Sequence, residues 1–277
     1  MNIKKAIIPV AGWGTRRLPI TKVIEKSMLP IGNRPLVDYV VEDCIKAGIK
    51  DIYFVISSQE PSQIKAYYSH NQSLEKYLTE RGKSDRLPQL ITVPEDVNFH
   101  YCVQNDDGRY GTAIPVAQAV KDFNITESVA ILMGDDFIWN ADGSSDIASL
   151  VKTIQSDTDS AILGTNVPRS EVEKYGVLKI SDDNHLIEIV EKPKASEAPS
   201  NLINISKYIA SPALLKHIVD YVDNNNFGSL DQEYYITDPI FTYLNSGGIM
   251  HVLPATGQYL DGGTLEGWLH ANNVVCG

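Results

Sequence analysis

KKAIIPVAGWGTRRLPITKVIEKSMLP, Lys4 to Pro30, sets the architecture that the rest of this chain must fit. Its apolar run, Ala6 to Val10, has the length and composition of a buried strand, and it feeds a glycine-containing turn, Ala11 to Thr15. Gly12 and Gly14 lack a Cβ, so this turn can take positive φ and let a ligand approach the backbone amides. Four cations follow: Arg16, Arg17, Lys22 and Lys26. Successive amides in such a turn make a concave anion site, and Arg and Lys add full charges to it. The pattern predicts an α/β protein with a phosphate loop after its first strand. The loop is not one of the two commonest phosphate motifs. There is no GxxxxGK[ST], and the dinucleotide fingerprint lacks its third glycine, where Arg17 stands, which argues against an NAD-dependent enzyme.

Downstream, Pro35–Ala47 carries helical periodicity through Leu36, Val40, Val41 and Ile45, with Gly48 as a stop. Asp51–Ser57 reads as a second buried strand. Strand, helix, strand in that order predicts a parallel sheet with right-handed crossovers. Gln59–Arg81 reads as one amphipathic helix and Gly82–Pro88 as a polar connection; Leu90–Val93 and Asn98–Gln104 are short strands and Gly111–Val120 a helix. Val129–Met133 is a near-continuous apolar run ending at Gly134, Asp135 and Asp136. A central strand there delivers acids to its carboxyl end, where open α/β sheets bind ligands, so Gly12 and Asp135 are expected to face one cleft. From Ser160 the texture turns to alternation in AILGTNV, YGVLKI and LIEIVEKP, with Asp182–Asn184 as the turn between the last two. Strand Asn201–Ile209, helices Pro212–Tyr221 and Glu233–Tyr243, and strand His251–Leu253 complete the pattern. No repeat, low-complexity tract or Gly/Ser linker interrupts it. The expectation is a single α/β domain over residues 1–277, with a Rossmann-like, mixed but mainly parallel central sheet flanked by helices and a β-rich second half beginning at about residue 141.

Of 277 residues, 43% are hydrophobic and 21% charged, which suits a soluble protein with an ample core. A formal net charge of -11 argues against nucleic acid or an anionic membrane as partner, and gives more meaning to the basic residues that do cluster. Cys44, Cys102 and Cys276 lack metal-ligand spacing and point to reduced thiols in a cytoplasmic protein. Lys4 and Lys5 precede an apolar run, yet that run is short, contains Pro9 and leads to Arg16 and Arg17, so no signal peptide is expected. No apolar stretch reaches membrane-spanning length. The six histidines are scattered, and no Ser or Cys sits in a nucleophile elbow.

Two motifs in the opening stretch, GxGTRxLP and TKxxxKxMLP, resemble the sugar nucleotidyltransferases, and in particular the bacterial glucose-1-phosphate uridylyltransferases, with Trp13 and Glu25 as local departures. The likeness runs through nearly the whole chain in the same order. It implies transfer of a uridylyl group from UTP to glucose 1-phosphate with Mg²⁺ as cofactor, in a homodimer or homotetramer. Such a transfer joins two anions, so the protein must supply positive charge, alignment and a metal rather than an acid or base. The resemblance gives Arg16 to the leaving pyrophosphate and Lys26 to the phosphoryl groups, while Ala11, Gly12 and Gly14 present backbone to the nucleotide. Arg17 and Lys22 carry no assigned role. Asp135, at the tip of its strand, is the metal carboxylate that the apolar run itself indicates, since Mg²⁺ takes oxygen ligands, usually one or two carboxylates with phosphates and water. YLDGGT, Tyr259–Thr264, resembles the second metal motif and makes Asp261 the partner acid.

VEKPK, Val190–Lys194, matches the family's sugar-phosphate motif, in which Glu191 accepts hydrogen bonds from sugar hydroxyls and Lys192 holds the sugar's phosphate. Gly176 in Tyr175–Val177 would let the sugar lie against backbone, with Asn204 on the following strand lining the same pocket. Gln104 and Gly111 are the expected base readers, because a carboxamide donates and accepts in the plane of an imide edge. Two positions depart from the pattern. Thr112 replaces a histidine, and Asp136 stands where the uridylyl branch has an apolar residue, giving a GDD that looks more like the thymidylyl branch. A thymidylyl or cytidylyl transferase, and a non-catalytic sugar-nucleotide sensor, therefore remain as alternatives.

Overall fold

The computed structural model describes residues 3–59, 61–90, 93–225 and 232–277. In chain order, strand β1 (Lys5–Pro9) leads through the loop into a small hairpin, β2 (Pro30–Ile31) and β3 (Arg34–Pro35), and then helix α1 (Leu36–Lys46). Strand β4 (Asp51–Ile56), helices α2 (Gln63–Tyr68) and α3 (Gln72–Glu80), strand β5 (Asn98–Val103), helix α4 (Ala113–Asp122) and strand β6 (Val129–Leu132) complete the first half. The second half holds β7 (Asp136–Trp139), α5 (Asp146–Thr153), β8 (Ser160–Asn166), β9 (Gly176–Ile180), β10 (Leu186–Glu191), β11 (Leu202–Ala210), α6 (Pro212–Asn224), α7 (Thr237–Asn245), β12 (Met250–Pro254), β13 (Gln258–Asp261) and α8 (Leu265–Cys276).

The described residues form a nine-stranded sheet ordered β10-β9-β11-β6-β1-β4-β5, with β8 and β12 continuing from β11. β6, β1, β4 and β5 run parallel, as the strand–helix–strand pattern requires. β11 is antiparallel to β6, β8 and β9, which joins the β-rich half to the parallel half in one mixed sheet. Alternation along β1 sends Ile7 into one buried layer, with α4, α6 and α7, and Ile8 into the other, with α1 and α5. Each such side chain contributes about 1.5–3 kcal/mol on burial, and both layers exist because helices cover both faces.

Side-chain caps explain several helix starts. Ser62, Asn71, Ser145, Ser211 and Thr264 each accept a backbone N–H from the first turn of the helix they precede. Two of those caps also correct an expectation: the helix anticipated over Gln59–Arg81 is two helices, broken at Ser69, which is extended, and Asn71, which caps the second. Leu90 ends a 3-10 stretch (Ser84–Leu90) in place of starting a strand, and the remainder of the strand expected at Leu90–Val93 lies partly outside the described residues. Helix α7 starts at Thr237, later than Glu233. β7, α5, β13 and α8 were not legible from periodicity; Gly267 and two asparagines dilute the pattern of α8.

Between α1 and α5, Asp43 is 7% exposed. Burial pushes its carboxyl up to about 6, against the pull of Ser145 and Lys46. An acid raised above its unfolded value near 3.9 opposes folding once ionised, so the penalty is absent below about pH 4 and grows as pH rises through about 6. Asp43→Asn is expected to stabilise the protein by about 2 kcal/mol at pH 7.5 and by nothing at about pH 4, as read from urea midpoints.

Candidate active site

A cleft of about 790 Å³ opens at the carboxyl ends of β1, β4, β5 and β6, lined by Ala11, Gly12, Gly14, Arg16, Lys26, Gln104, Gly111, Asp135 and Asp261 among others. That is the edge where helix-crossed parallel strands leave their following loops free to meet. The glycine-containing loop after β1 is shaped at Gly14, whose φ is 64°. Its carbonyl accepts from the Arg17 amide and from Thr21 Oγ1, both at 2.8 Å, and a Cβ there would lie 2.9 Å from Thr21 Cγ2. Gly12 differs from the expectation: its φ is not positive, and nothing lies within 4 Å of where its Cβ would be. What Gly12 contributes is open room on the cleft wall.

The four cations part company. Arg16 and Lys26 line the cleft. Arg17 is 6% exposed; it donates from Nη1 to the Thr264 carbonyl at 2.6 Å and lies over the Trp268 ring, so it ties the loop to the start of α8. Lys22 is exposed and outside the cleft lining.

β6 ends against the loop, with the Gly134 amide donating to the Pro9 carbonyl at 3.4 Å. A Cβ on Gly134 would fall 2.4 Å from Val10 Cγ1, so only glycine permits this close approach. Asp135 follows and pairs with Lys26 Nζ. Burial works to raise the Asp135 carboxyl, but Lys26, Lys207 and Arg16 overcome it and hold the group below the usual carboxylate value. The next residue, Asp136 on β7, also borders the cleft but is spent on the protein: it accepts from Lys207 Nζ and, at 2.9 Å, from the Tyr259 hydroxyl. Burial lifts its carboxyl above the ordinary range, with Lys207 opposing.

Asp261 ends β13 directly opposite Asp136. Its two oxygens accept from the Gly263 amide at 2.7 Å and from Thr264 Oγ1 at 3.1 Å, and Gly262 N–H donates to the Asp135 carbonyl at 3.0 Å. The paired strands β7 and β13 thus carry both acids to the cleft. Each carboxylate keeps lone pairs beyond those bonds, and a pair of hard oxygen donors beside room for phosphate is what Mg²⁺ takes from a protein. The donor set fits that ion.

Opposite lies the wall after β5. The Gln104 amide bonds the Ile56 carbonyl at 2.8 Å, and buried Gln118 braces the turn through the Val103 carbonyl at 2.7 Å and the Asn105 amide at 2.9 Å. Gly111 has φ 128°, and a Cβ there would lie 2.4 Å from Tyr234 N. Thr112 Oγ1 accepts from the Ile236 amide at 2.9 Å, so the residue at the family's histidine position is spent on holding that segment.

The sugar-side residues stand beside the cleft, not in its lining. Gly176 pairs with Glu191 across β9 and β10, and a Cβ on Gly176 would sit 3.0 Å from Glu191 Oε1. Burial raises the Glu191 carboxyl, while Lys192 and Thr237 lower it. Lys192 has φ 46° and donates its amide to the Tyr175 carbonyl at 3.0 Å. Asn204 bonds the Ser206 amide at 2.8 Å and the Tyr208 hydroxyl at 2.9 Å, shaping a bulge in β11 that brings Ser206 to the cleft.

A model of the family described as nucleotidyl transferase matches residues 5–276. The chain belongs to the nucleotidyl transferase family. It is 34% identical over 244 residues, 86% of this chain and 81% of the relative, to a UTP–glucose-1-phosphate uridylyltransferase of Staphylococcus epidermidis. The UTP-bound UGPase from Acinetobacter baumannii superposes with TM-score 0.87 at 28% identity, covering 99% of this chain and 93% of that one. A UDP-glucose pyrophosphorylase complexed with UDP-glucose gives TM-score 0.80 at 28% identity, over 99% and 98% of the two chains.

Several side chains of this nucleotidyl transferase's cleft escaped the sequence reading. Tyr259, Lys174 and Arg109 line it, the last held by Asp107 at 2.7 Å. Lys207 reaches Asp136 from β11. A single lysine inside LINISKYIA, an otherwise mostly apolar strand, was the available signal for it.

Proposed function

We propose that this nucleotidyl transferase moves the uridylyl group of UTP onto glucose 1-phosphate, releasing pyrophosphate, with Mg²⁺ held by Asp135 and Asp261. The observation that carries the reading is one cleft that collects a glycine loop, two cations and two carboxylates from three separate stretches of chain. An oxygen of the sugar's phosphate attacks the α-phosphorus; that O–P bond forms as the bond to the pyrophosphate oxygen breaks, and no proton has to move. When bound, the ion supplies charge neutralisation on the phosphate oxygens and aligns them.

The chain's own residues do the rest. Arg16 takes the leaving pyrophosphate, and Lys26 turns from Asp135 to the phosphoryl oxygens. At 4 Å and an effective dielectric of 20, each unit contact is roughly 4 kcal/mol, enough to offset the repulsion between two anions. Ala11, Gly12 and Gly14 offer backbone to the nucleotide, Gln104 reads the imide edge with Gly111 keeping the wall close, and Glu191, Gly176 and Asn204 frame the hexose beside Lys192. Asp136 is bonded to Lys207 and Tyr259, so its departure from the uridylyl pattern is accounted for by those contacts and gives no argument for dTTP over UTP.

The test is pyrophosphate release with Mg²⁺, crossing five nucleoside triphosphates with hexose 1-phosphates. UTP with glucose 1-phosphate is the expected optimum; dominance of dTTP would move the chain to another branch, and silence across the grid would favour a sensor. Lys192→Ala is expected to raise KM for glucose 1-phosphate at least about tenfold with KM for UTP nearly unchanged, as for loss of a charged hydrogen bond. The opposite order would place Lys192 on the triphosphate.

We further propose a cytoplasmic homodimer or homotetramer. Exposed Leu18, Leu265 and Leu269 flank the Arg17–Trp268 contact and supply apolar surface for a second copy. All three cysteines are free thiols, and no helix among the described residues is long and apolar enough to cross a membrane. Light scattering on the purified protein reads the assembly directly.

A further inference from the structure

We infer that Lys207, through its buried bonds to Asp136 and to the Met133 carbonyl, is a positioning residue that sets the spacing of Asp135 and Asp261; the inference rests on the reaction proposed above. Lys207 is 2% exposed. Burying an ammonium is costly unless every donor is used well, so a lysine here needs a reason. Its Nζ bonds Asp136 Oδ1 and donates to the Met133 carbonyl at 3.0 Å. The other Asp136 oxygen accepts from Tyr259. Three strands, β7, β11 and β13, therefore meet at one carboxylate.

Asp135 sits in the middle of this frame. Met133 before it is held by Lys207, its own carbonyl is held by Gly262 N–H at 3.0 Å, and Asp136 after it is held by Lys207 and Tyr259. Asp261 is paired with Asp136 in the β7–β13 ladder, two residues beyond Tyr259. The bonds that place one acid thus place the other. Lys207 reaches this point because β11 departs from regular pairing: Asn204 pairs with Gly164 and Lys207 with Leu163, and the bulged Ser206 has φ 53°. Bulges of this kind re-aim side chains beside sites.

A purely structural pair could be exchanged for apolar residues of similar size without loss. Lys207 and Asp136 carry opposite charges, so removing both disturbs the field at the acids less than removing Lys207 alone, and a variant that keeps the charge separates geometry from field. Lys207→Met/Asp136→Val is compared with wild type and with Lys207→Arg, which keeps the charge. Mn²⁺ is titrated by electron paramagnetic resonance against protein saturated with UTP and without sugar phosphate, which reads binding with no turnover; kcat and both KM values are measured separately. The double variant is expected to retain its melting transition, to bind Mn²⁺ about 10–100-fold more weakly, and to lose kcat by a similar factor with KM for glucose 1-phosphate unchanged. Lys207→Arg is expected to recover most of both.

Mn²⁺ binding and kcat equal to wild type in the double variant would overturn the inference and leave the proposed reaction standing. A wild type that neither binds Mn²⁺ nor releases pyrophosphate would sink the reaction and this inference with it. If the double variant does not fold, Tyr259→Phe decides, since it removes one hydroxyl: weaker Mn²⁺ binding supports the frame, and unchanged binding overturns it.

Discussion

Asp135→Asn is expected to lower kcat about a thousandfold, close to 4 kcal/mol of barrier, while leaving the fold intact. The substitution keeps size and shape and removes the charge that would hold Mg²⁺ against the triphosphate. Asp135 is half-exposed at a strand tip and its protein partner is Lys26, so its packing share is small. The kinetic pattern distinguishes a metal carboxylate from a structural one. With Asp135 neutral, Lys26 is no longer shared and stays available to the nucleotide, so KM for UTP is expected to hold or fall while kcat collapses. Pyrophosphate release and thermal melting on one preparation check both halves. Turnover near wild type would remove Asp135 from the metal site.

Gly111→Ala is expected to damage stability and nucleotide binding together. The added Cβ would lie 2.4 Å from Tyr234 N and 2.5 Å from Tyr234 O, which are backbone atoms that no rotamer change can move aside. It would also hold alanine at φ 128°, where L side chains are strained. Relief requires parting the two segments, and that breaks the Tyr234 N–H to Tyr110 carbonyl and Ala113 N–H to Tyr234 carbonyl bonds, both 2.9 Å. Strain and two lost backbone bonds come to about 4 kcal/mol, or a melting point lower by about 7 °C. KM for UTP is expected to rise because Gln104 and Gly111 share that wall. A variant melting with wild type would show that the segments part at no cost.

Much of the cleft lining was open to sequence reading because glycine turns, clustered cations and a strand-tip acid are local marks. A strand, two glycines and a row of cations are contiguous in Lys4–Lys26, and Asp135 follows an unbroken apolar run. Arg16 and Lys26 could be separated from Lys22 and Arg17 only by resemblance and geometry: four cations within eleven residues look alike until the loop's turns send Arg17 inward to Thr264. Gly12 and Gly14 also read alike, yet one is needed for its φ and the other for the space beside it.

Local sequence was enough for the parallel α/β half, the glycine-containing turn after the first strand and the acid at the tip of β6. Period, turn chemistry and charge are properties of neighbours along the chain, so a local pattern suffices for them. Long-range packing alone sets Asp261 opposite Asp136 in the β7–β13 pair, locks the 234–236 segment against Thr112 and Gly111, and brings Lys207 beneath the acids. Those placements depend on a bulge in β11 and on strand pairs distant in sequence, which no window of neighbouring residues encodes. A buried lysine and an exposed one are the same letter; burial, and the carboxylate that makes burial tolerable, come from the fold.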